Sequence, residues 1–162
     1  RAQAASSYEL DTMAPEAVAM ALAWAKRAGL QCLDLGGLNE RWPFDDSSVG
    51  VVRAADIFEH LTDSLHTMKE LYRVLAPGGY AFIQVPSTDG RGAFQGPQDR
   101  TFWNENSFHY YAGDKAYWID KPVRFQALRL YTTEKNSEQV CWTRAHLMKL
   151  AGDMRVAGQV LV

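Results

Sequence analysis

Three groups of residues have the types and the spacing that chemistry requires, and the first contains two glycines. Asp34 is followed by Gly36 and Gly37 at the end of a short apolar run. A strand that ends in an acidic residue and continues into glycines suits a nucleotide-type ligand, because glycine lets the backbone approach closely and a following helix offers free amides. An ordinary turn explains the same two glycines equally well.

Glu59 and His60 form the second group. A histidine side chain gains and loses a proton near neutral pH. Because His60 follows the end of a buried apolar run, it is the candidate catalytic proton acceptor. The alternative is structural, with Glu59 and His60 capping the following helix or anchoring its loop.

The third group lies in residues 87–122, which are rich in glycine and aromatic side chains and have no sustained periodicity. Loops this long in compact domains are either functional or disordered, and disordered segments are poor in aromatic residues. We therefore expect a folded lid or substrate-binding wall, and its candidate residues are Trp103, Asn104, His109, Tyr110 and Tyr111. Ordinary core packing beneath a long loop explains these aromatic side chains equally well.

A βαβ unit over Trp42–Pro86 positions these groups. An apolar run, an amphipathic period and a second apolar run predict a strand, a helix and a strand at 49–55, 63–75 and 80–85. Asp63 is the expected N-cap of the helix. Such units build parallel sheets, in which ligands bind at the carboxyl ends of the strands. The loop at 56–60 is therefore the first place to look for chemistry.

Further elements flank this unit. Pro15 suits the first position of a helix and Gly29 its end, and residues 30–35 predict a short strand after it. Two apolar runs at 123–133 and 139–147 predict an antiparallel hairpin at the edge of the sheet.

Some side chains in these elements are expected to be solvent-exposed. Lys69, Glu70 and Arg73 form the polar face of the helix in the βαβ unit, where solvation is the simplest interpretation. His66 and His146 are likewise expected on the surface or on a helix face.

Composition limits the class of protein. A chain of 162 residues is long enough for one domain with its own core, and a net charge of −2 argues against nucleic acid as a main partner. Cys32 and Cys141 lack metal-ligand spacing, so we expect reduced core cysteines and a cytoplasmic protein. We see no membrane span or signal peptide, and no paired spacing that predicts a metal site.

The motifs in Trp42–Pro86 resemble the second half of a class I S-adenosylmethionine-dependent methyltransferase of the type 11-like kind. The residues that carry the resemblance follow the family's order: Pro43, Phe44, Asp46 and Ser48 in a turn, Glu59-His60-Leu61, Glu70, and Arg73-Val74-Leu75 before Pro77-Gly78-Gly79. Asp34-Leu35-Gly36-Gly37 resembles the opening of that family's glycine-rich cofactor motif.

The segments 86–95 and 102–108 resemble a bacterial and phage-like branch of these enzymes. Members of that branch carry Asp-Pro-Thr-His where this chain has Gly96-Pro97-Gln98-Asp99. Since both the Asp and the His are replaced, no role of theirs is carried over to this chain.

One departure from the family pattern allows two alignments of this chain with the family. The family places a helix and an acidic strand between its glycine motif and its Pro-Phe turn, whereas only a few residues separate Gly37 from Pro43 here. In a first alignment, residues are absent between Gly37 and Leu38. In a second alignment, Tyr8-Glu9-Leu10-Asp11 is the acidic second strand, 30–35 is the third strand, and the glycine motif lies before Arg1. We favour the first, and both leave the cofactor site incomplete.

The resemblance implies S-adenosylmethionine as cofactor and assigns three groups of residues to it. Asp34, Gly36 and Gly37 would approach its methionine and ribose end, Leu38 and Asn39 its adenine, and Ala54, Ala55 and Asp56 its methionine side. The implied reaction moves a methyl group to an oxygen or nitrogen atom of a small-molecule or glycan-type acceptor. A non-catalytic binding or scaffold protein with a degenerate cofactor site is the alternative. A dinucleotide oxidoreductase is weaker, because no G-x-G-x-x-G follows a strand.

The expected fold is therefore α/β. We predict a Rossmann-like, mostly parallel sheet in one domain over residues 1–162, with helices on both faces, a C-terminal antiparallel hairpin and an incomplete glycine-rich region.

Overall fold

A five-stranded sheet forms the centre of the protein. The computed structural model describes residues 15–34, 40–112 and 123–152. The strands are Gln31–Asp34 (β1), Val49–Ala55 (β2), Leu75–Pro86 (β3), Phe125–Thr132 (β4) and Trp142–Lys149 (β5), in the spatial order β1-β2-β3-β5-β4. β1, β2 and β3 are parallel, whereas β5 runs antiparallel to β3 and to β4. The predicted α/β fold, with parallel pairing first and an antiparallel hairpin last, is confirmed.

One face of the sheet is covered by the helix Pro15–Arg27 (α1). Its buried side chains and those of the strands form one apolar cluster: Val18, Ala21 and Ala25 with Val51, Ala55 and Phe82. A Cβ built on Gly50 would lie only 2.6 Å from that of Ala25, so glycine allows α1 to approach β2. Gly29, with φ of +68°, ends the helix as predicted.

The helix Ser64–Val74 (α2) covers the opposite face. Asp63 is its N-cap, as predicted, and accepts a 2.9 Å hydrogen bond from the His66 amide. Its buried side chains join those of the strands in a second cluster: Met68, Leu71 and Val74 with Val52, Ala54 and Ile83. Neighbours along β2 alternate between the two clusters, which confirms helices on both faces.

The turn Pro77-Gly78-Gly79 lies inside β3, not before it. β3 begins at Leu75, directly after α2, and its pairing with β2 shifts between Val49↔Leu75 and Val51↔Tyr80. The extra residues form a bulge, in which Gly78 has φ of +75°. The prediction of a strand starting at residue 80 was therefore wrong by five residues, because proline and glycine can mark a bulge as well as a turn.

Of the three side chains predicted to be solvated on the polar face of α2, Lys69 is exposed, whereas Glu70 and Arg73 are not. Glu70 is buried, and its Oε2 accepts the Trp42 amide at 2.7 Å. Arg73 binds the same oxygen of Glu70 at 2.7 Å and donates to the carbonyls of Trp42 and Phe44. Hydrogen bonds from Arg73 lower the pKa of Glu70. This pair, the Glu70–Arg73 clamp, fastens the turn before β2 to α2.

Two other predicted exposures also differ. Cys32 is exposed on the edge strand β1, whereas Cys141 is buried as expected. His146 was predicted on the surface, but it is buried in β5, where desolvation and then Arg129 and Arg144 lower its pKa to about 4. The surface prediction for His146 was wrong because aromatic rings on the two neighbouring strands, those of Phe82 on β3 and Tyr131 on β4, pack against its imidazole.

Several predictions lie outside the described residues. Gly36, Gly37, Leu38 and Asn39 are among them, as is the hypothesis of residues absent between Gly37 and Leu38. The lid segment 87–122 is described only up to residue 112. Within the described ranges, no helix is long and apolar enough to cross a membrane, and no group of three His, Cys, Asp or Glu side chains could hold a metal ion.

Candidate active site

The carboxyl ends of β1, β2 and β3 meet at one edge of the sheet, where ligands bind in sheets of this kind. Asp34 ends β1 and lies opposite Arg53 of β2. The Arg53 guanidinium binds both carboxylate oxygens of Asp34, at 2.6 and 2.7 Å. Such a bidentate pair is strong and directional. A ligand group that used Asp34 would therefore compete with Arg53.

At the end of β2, the backbone is held in an uncommon conformation. Ala54 and Ala55 are buried on opposite faces of the sheet, so the strand end itself is lined by their backbone. Asp56 follows with φ of +52°, which is strained for a residue with a side chain and which recurs at functional sites.

A polar network extends from Asp56 across the next two strands. The Asp56 amide donates to the carbonyl of Gln84 at 2.9 Å, and the Gln84 amide group lies 3.3 Å from Oδ2 of Asp56. Arg144 of β5 donates to Oε1 of Gln84 at 2.8 Å. Three strands thus fix the position of one carboxylate at the strand ends.

Glu59 lies in the short 3-10 turn that follows β2, and its carboxyl group is buried. The residue is only 3% exposed, and Oε2 makes no hydrogen bond within the described residues. Burial raises the pKa of the Glu59 carboxyl to about 8, and the nearby Asp56 and Asp99 carboxylates add to this rise. Glu59 therefore carries its proton at neutral pH.

The imidazole of His60 lies between two carboxyl groups. Its Nδ1 is 3.1 Å from Oδ1 of Asp99, and its Nε2 is 3.9 Å from Oε1 of Glu59. Only the first distance is that of a hydrogen bond. The side chain of His60 is 42% exposed, so one edge of the ring is open to a ligand.

The aromatic residues predicted to line a substrate pocket divide into core and surface. Trp103 and Tyr111 are buried and belong to the main apolar cluster, whereas Tyr110 is 41% exposed. Asn104 caps the short helix Glu105–His109 (α3) and donates to Thr88 at 2.8 Å, so both ends of its side chain are engaged. His109 is half-buried in the last turn of α3.

A cavity of about 200 Å³ brings three of these five residues to one place. Its lining combines aromatic rings with hydroxyl groups: Phe102, Trp103, Tyr110 and Tyr111 with Ser64 and Ser107. Ser64 begins α2 and so lies beyond the carboxyl end of β2. Asn104 and His109 do not line this cavity.

Residues 2–83 match a protein-family model described as a methyltransferase domain. The match covers half of the chain. The chain belongs to this methyltransferase family. The resemblance to class I S-adenosylmethionine-dependent methyltransferases is thereby confirmed, and S-adenosylmethionine is the cofactor that family membership supports.

The extent of the family match bears on the two alignments. It includes residues 2–29 and thus places α1 inside the family domain, as the second alignment does. The parallel pairing of β1 with β2 instead favours the first alignment, since the first and fourth strands are neighbours in a doubly wound sheet. A cofactor role for Asp34 depends on the first alignment.

Known proteins resemble this methyltransferase-family chain in sequence and in fold. A demethylmenaquinone methyltransferase from Chlorobaculum tepidum is 40% identical over 67 residues, which are 41% of this chain and 27% of that protein. A protein from Galdieria sulphuraria assigned as a sarcosine dimethylglycine methyltransferase has a TM-score of 0.53 at 16% identity, with 85% of this chain and 68% of that one covered. The 4+2 cyclase SpnF has a TM-score of 0.54 at 15% identity, with 83% and 63% covered.

The coverage and the identity of these matches limit which properties of these proteins can be assigned to this chain. The chain spans about a quarter of the length of the demethylmenaquinone methyltransferase. At 15–16% identity the two solved structures show the fold alone, and one of them is a cyclase, so the fold does not fix the reaction.

Sequence reasoning missed three side chains of this site. Gln84 and Arg144 lie on β3 and β5, and only the pairing of these strands brings them to Asp56. Asp99 was regarded only as a replacement for a family histidine. The one signal available in the sequence was that Asp99 is acidic and follows Gly96 and Pro97 at the position where the related branch has a histidine.

Proposed function

We propose that this chain is the catalytic domain, or part of it, of an S-adenosylmethionine-dependent methyltransferase that methylates an oxygen or nitrogen atom of a small-molecule or glycan-type acceptor. The observation that carries the proposal is the meeting of Asp56, Glu59 and His60 at the carboxyl end of β2 in a chain of the methyltransferase family. Methyl transfer needs reacting atoms held in line and a group that takes a proton from the acceptor.

The described residues fit the methionine side of the cofactor. Asp56 offers a carboxylate to its ammonium group, and the backbone of Ala54 and Ala55 leaves the strand end free of large side chains. Asp34 would serve its ribose side only after exchanging its contacts with Arg53. Gly36, Gly37, Leu38 and Asn39 complete the proposed set. When bound, the cofactor supplies an electrophilic methyl carbon on a sulfonium.

The aromatic cavity suits the acceptor. A volume of about 200 Å³ accommodates a small molecule or one sugar ring, which is below the usual range for drug-sized ligands. Its aromatic faces can stack on such a ring, while the hydroxyl groups of Ser64 and Tyr110 can orient polar substituents. His60 is the proposed proton acceptor, and Trp103 and Tyr111 form the wall of the pocket.

A second candidate function is a non-catalytic binding or scaffold protein. The observation that favours it is the bidentate pair of Asp34 and Arg53, which leaves one expected cofactor carboxylate already engaged. This alternative predicts that the protein retains the fold and binds no S-adenosylmethionine.

Thermal unfolding with added ligand tests the proposal. S-adenosylmethionine or S-adenosylhomocysteine at a hundred times its Kd would stabilise the protein by about 2.7 kcal/mol, which corresponds to a rise in Tm of about 5–10 °C for a domain of this size. We expect this rise in the full-length protein and in Asp45→Asn, a matched change on an exposed turn, but not in Asp56→Asn. No rise with either ligand would refute the proposal and support the scaffold function.

The acceptor class can be assigned by S-adenosylhomocysteine release. A panel of phenols, quinols, sugars and amines is incubated with the protein and the cofactor, and it includes a demethylmenaquinone because of the 40% identical relative. We expect turnover with a hydroxylated or amino small molecule. We also propose that the protein is cytoplasmic, since both cysteines are free. We further propose that it has no membrane partner and, because its net charge is −2, no nucleic-acid partner.

A further inference from the structure

The carboxylate of Asp99 is built into the loop that carries it. Its side chain is only 6% exposed, and Oδ1 lies 3.1 Å from Nδ1 of His60. A Cβ on Gly96 would overlap both oxygens of Asp99, and the Asp99 amide donates to the Gly96 carbonyl at 3.2 Å. Glycine at position 96 is therefore what lets the loop close around this carboxylate.

The segment after Asp99 is fastened to the turn that carries His60. The Glu59 carbonyl accepts hydrogen bonds from the amides of Arg100 and Thr101, at 2.6 and 3.0 Å. The Thr101 hydroxyl donates to the Phe58 carbonyl at 2.8 Å. These bonds join the two residues before His60 to the two residues after Asp99, so the backbone holds Asp99 next to His60.

We propose that Asp99 is a positioning residue that keeps the proton of neutral His60 on Nδ1 and so leaves Nε2 as the proton acceptor. An imidazole whose Nδ1–H donates to a carboxylate has its other nitrogen free to accept. This inference rests on the proposed function, in which His60 takes the acceptor's proton, and it gives position 99 a role that the family's histidine could not fill in the same way.

The proton and bond changes balance at these atoms. Nε2 takes the proton of the acceptor O–H or N–H while the acceptor atom bonds the methyl carbon and the S–C bond of the sulfonium breaks. The positive charge passes from the sulfonium to the imidazolium, beside the Asp99 carboxylate. His60 then releases this proton to solvent, to which its side chain is 42% exposed.

Other titratable groups around the ring do not compete for Nδ1. Glu59 lies on the Nε2 side, at 3.9 Å, and burial raises its pKa to about 8, so it is neutral at pH 7. Asp56 and Asp99 both lie near enough to Glu59 to contribute to that rise, and Asp99 is the one whose Oδ1 lies 3.1 Å from Nδ1. Asp99 is thus the carboxylate that lies within hydrogen-bond distance of Nδ1.

Long-range proton–nitrogen NMR spectra of the full-length protein, labelled with nitrogen-15 in histidine, test the tautomer directly. They are recorded at about pH 7.5, where an ordinary histidine is mostly neutral and Glu59, with a pKa of about 8, still mostly holds its proton. His60→Gln identifies the His60 signals among the four histidines. We expect the proton on Nδ1 in the wild type and in Asp45→Asn. In Asp99→Asn, whose amide can donate to Nδ1, we expect it on Nε2 or shared.

If the spectra of the wild type show the proton of His60 on Nε2, the proposal is overturned by the wild-type measurement alone. So does an Asp99→Asn protein that is less stable but keeps the wild-type tautomer, because Asp99 would then be structural only.

Kinetics separate this proposal from the proposed function. We expect Asp99→Asn to lower kcat by up to the 10²–10⁴-fold that a general base contributes, with the KM for S-adenosylmethionine unchanged and the low-pH limb of the rate profile displaced. Equal kcat values in Asp99→Asn and the wild type overturn the positioning role and leave the methyltransferase function intact. A protein that binds no S-adenosylmethionine refutes the proposed function, whatever tautomer His60 has.

Discussion

Replacing the buried carboxyl group of Glu59 by an amide should change how stability depends on pH. The pKa of Glu59 is raised to about 8 in the folded protein from 4.5 in the unfolded chain. Between these values the folded state holds a proton that the unfolded state lacks, so the free energy of unfolding falls as pH rises, by about 1.4 kcal/mol per pH unit. This contribution is fully present below pH 4.5 and is lost above pH 8.

Glu59→Gln mimics the protonated acid and removes this loss. A shift from 4.5 to about 8 limits the effect to about 5 kcal/mol, and water entering beside Oε2 would reduce it. We therefore expect Glu59→Gln to be more stable than the wild type by about 2–5 kcal/mol at pH 8.5 and to be nearly equal to it at pH 4.5. That is a large fraction of the stability of a typical domain.

Urea unfolding, followed by the fluorescence of buried tryptophans such as Trp42 and Trp103, measures this difference across the pH range. Glu134→Gln is the matched control, because Glu134 is exposed in the β4–β5 turn. The difference between Glu59→Gln and the wild type cancels the titration of every group that does not interact with Glu59, and Asp56 and Asp99 are the carboxylates that do. Parallel stability curves for these two proteins would show that Glu59 is ionised in the folded state and would refute the reasoning.

Two further changes test the packing that supports the site. Arg73→Met should destabilise the protein by about 3–5 kcal/mol, because the Glu70 carboxylate would be left buried without its charged partner. The double variant Arg73→Met/Glu70→Gln should regain part of this stability when measured by urea unfolding. A double variant no more stable than Arg73→Met would contradict the clamp. Gly50→Ala should cost about 1–3 kcal/mol through its 2.6 Å approach to Ala25. Restoration by Ala25→Gly in the double variant is expected in the same assay, and purely additive losses would argue against this contact.

Elements whose signals are local were predictable from the sequence. β2 occupies 49–55 as predicted, and α2 begins after the Asp63 cap, because a buried run and a capping side chain are readable within a few residues. β3 was predicted too short, since Pro77-Gly78-Gly79 reads equally as a turn or as a bulge. The polar side chains that were predicted in solvent but are covered in the structure share one property, namely that the groups covering them are distant in sequence.

The Glu70–Arg73 clamp shows why such failures are systematic. Charge and helical spacing place both residues on the solvent side of α2, and periodicity contains no information about a loop that lies over that side. Trp42 and Phe44, about thirty residues earlier, supply the backbone groups that bury the pair. The same holds for the site, where Glu59 and His60 were found from the sequence but Asp99, some forty residues later, was not.

The protonation of Glu59 and the orientation of His60 depend on each other. Three carboxyl groups, those of Asp56, Glu59 and Asp99, lie around one turn, and three negative charges there would repel one another. The proton on Glu59 removes the charge that lies on the Nε2 side of the ring, and it leaves the Asp99 charge on the Nδ1 side. Two carboxyl groups of the same chemistry thus take different roles because one is desolvated and the other is paired. Ionising Glu59 would place a second charge beside Nε2 and would weaken the preference for Nδ1–H, so the pH at which stability stops falling should also be the pH at which the His60 tautomer begins to change.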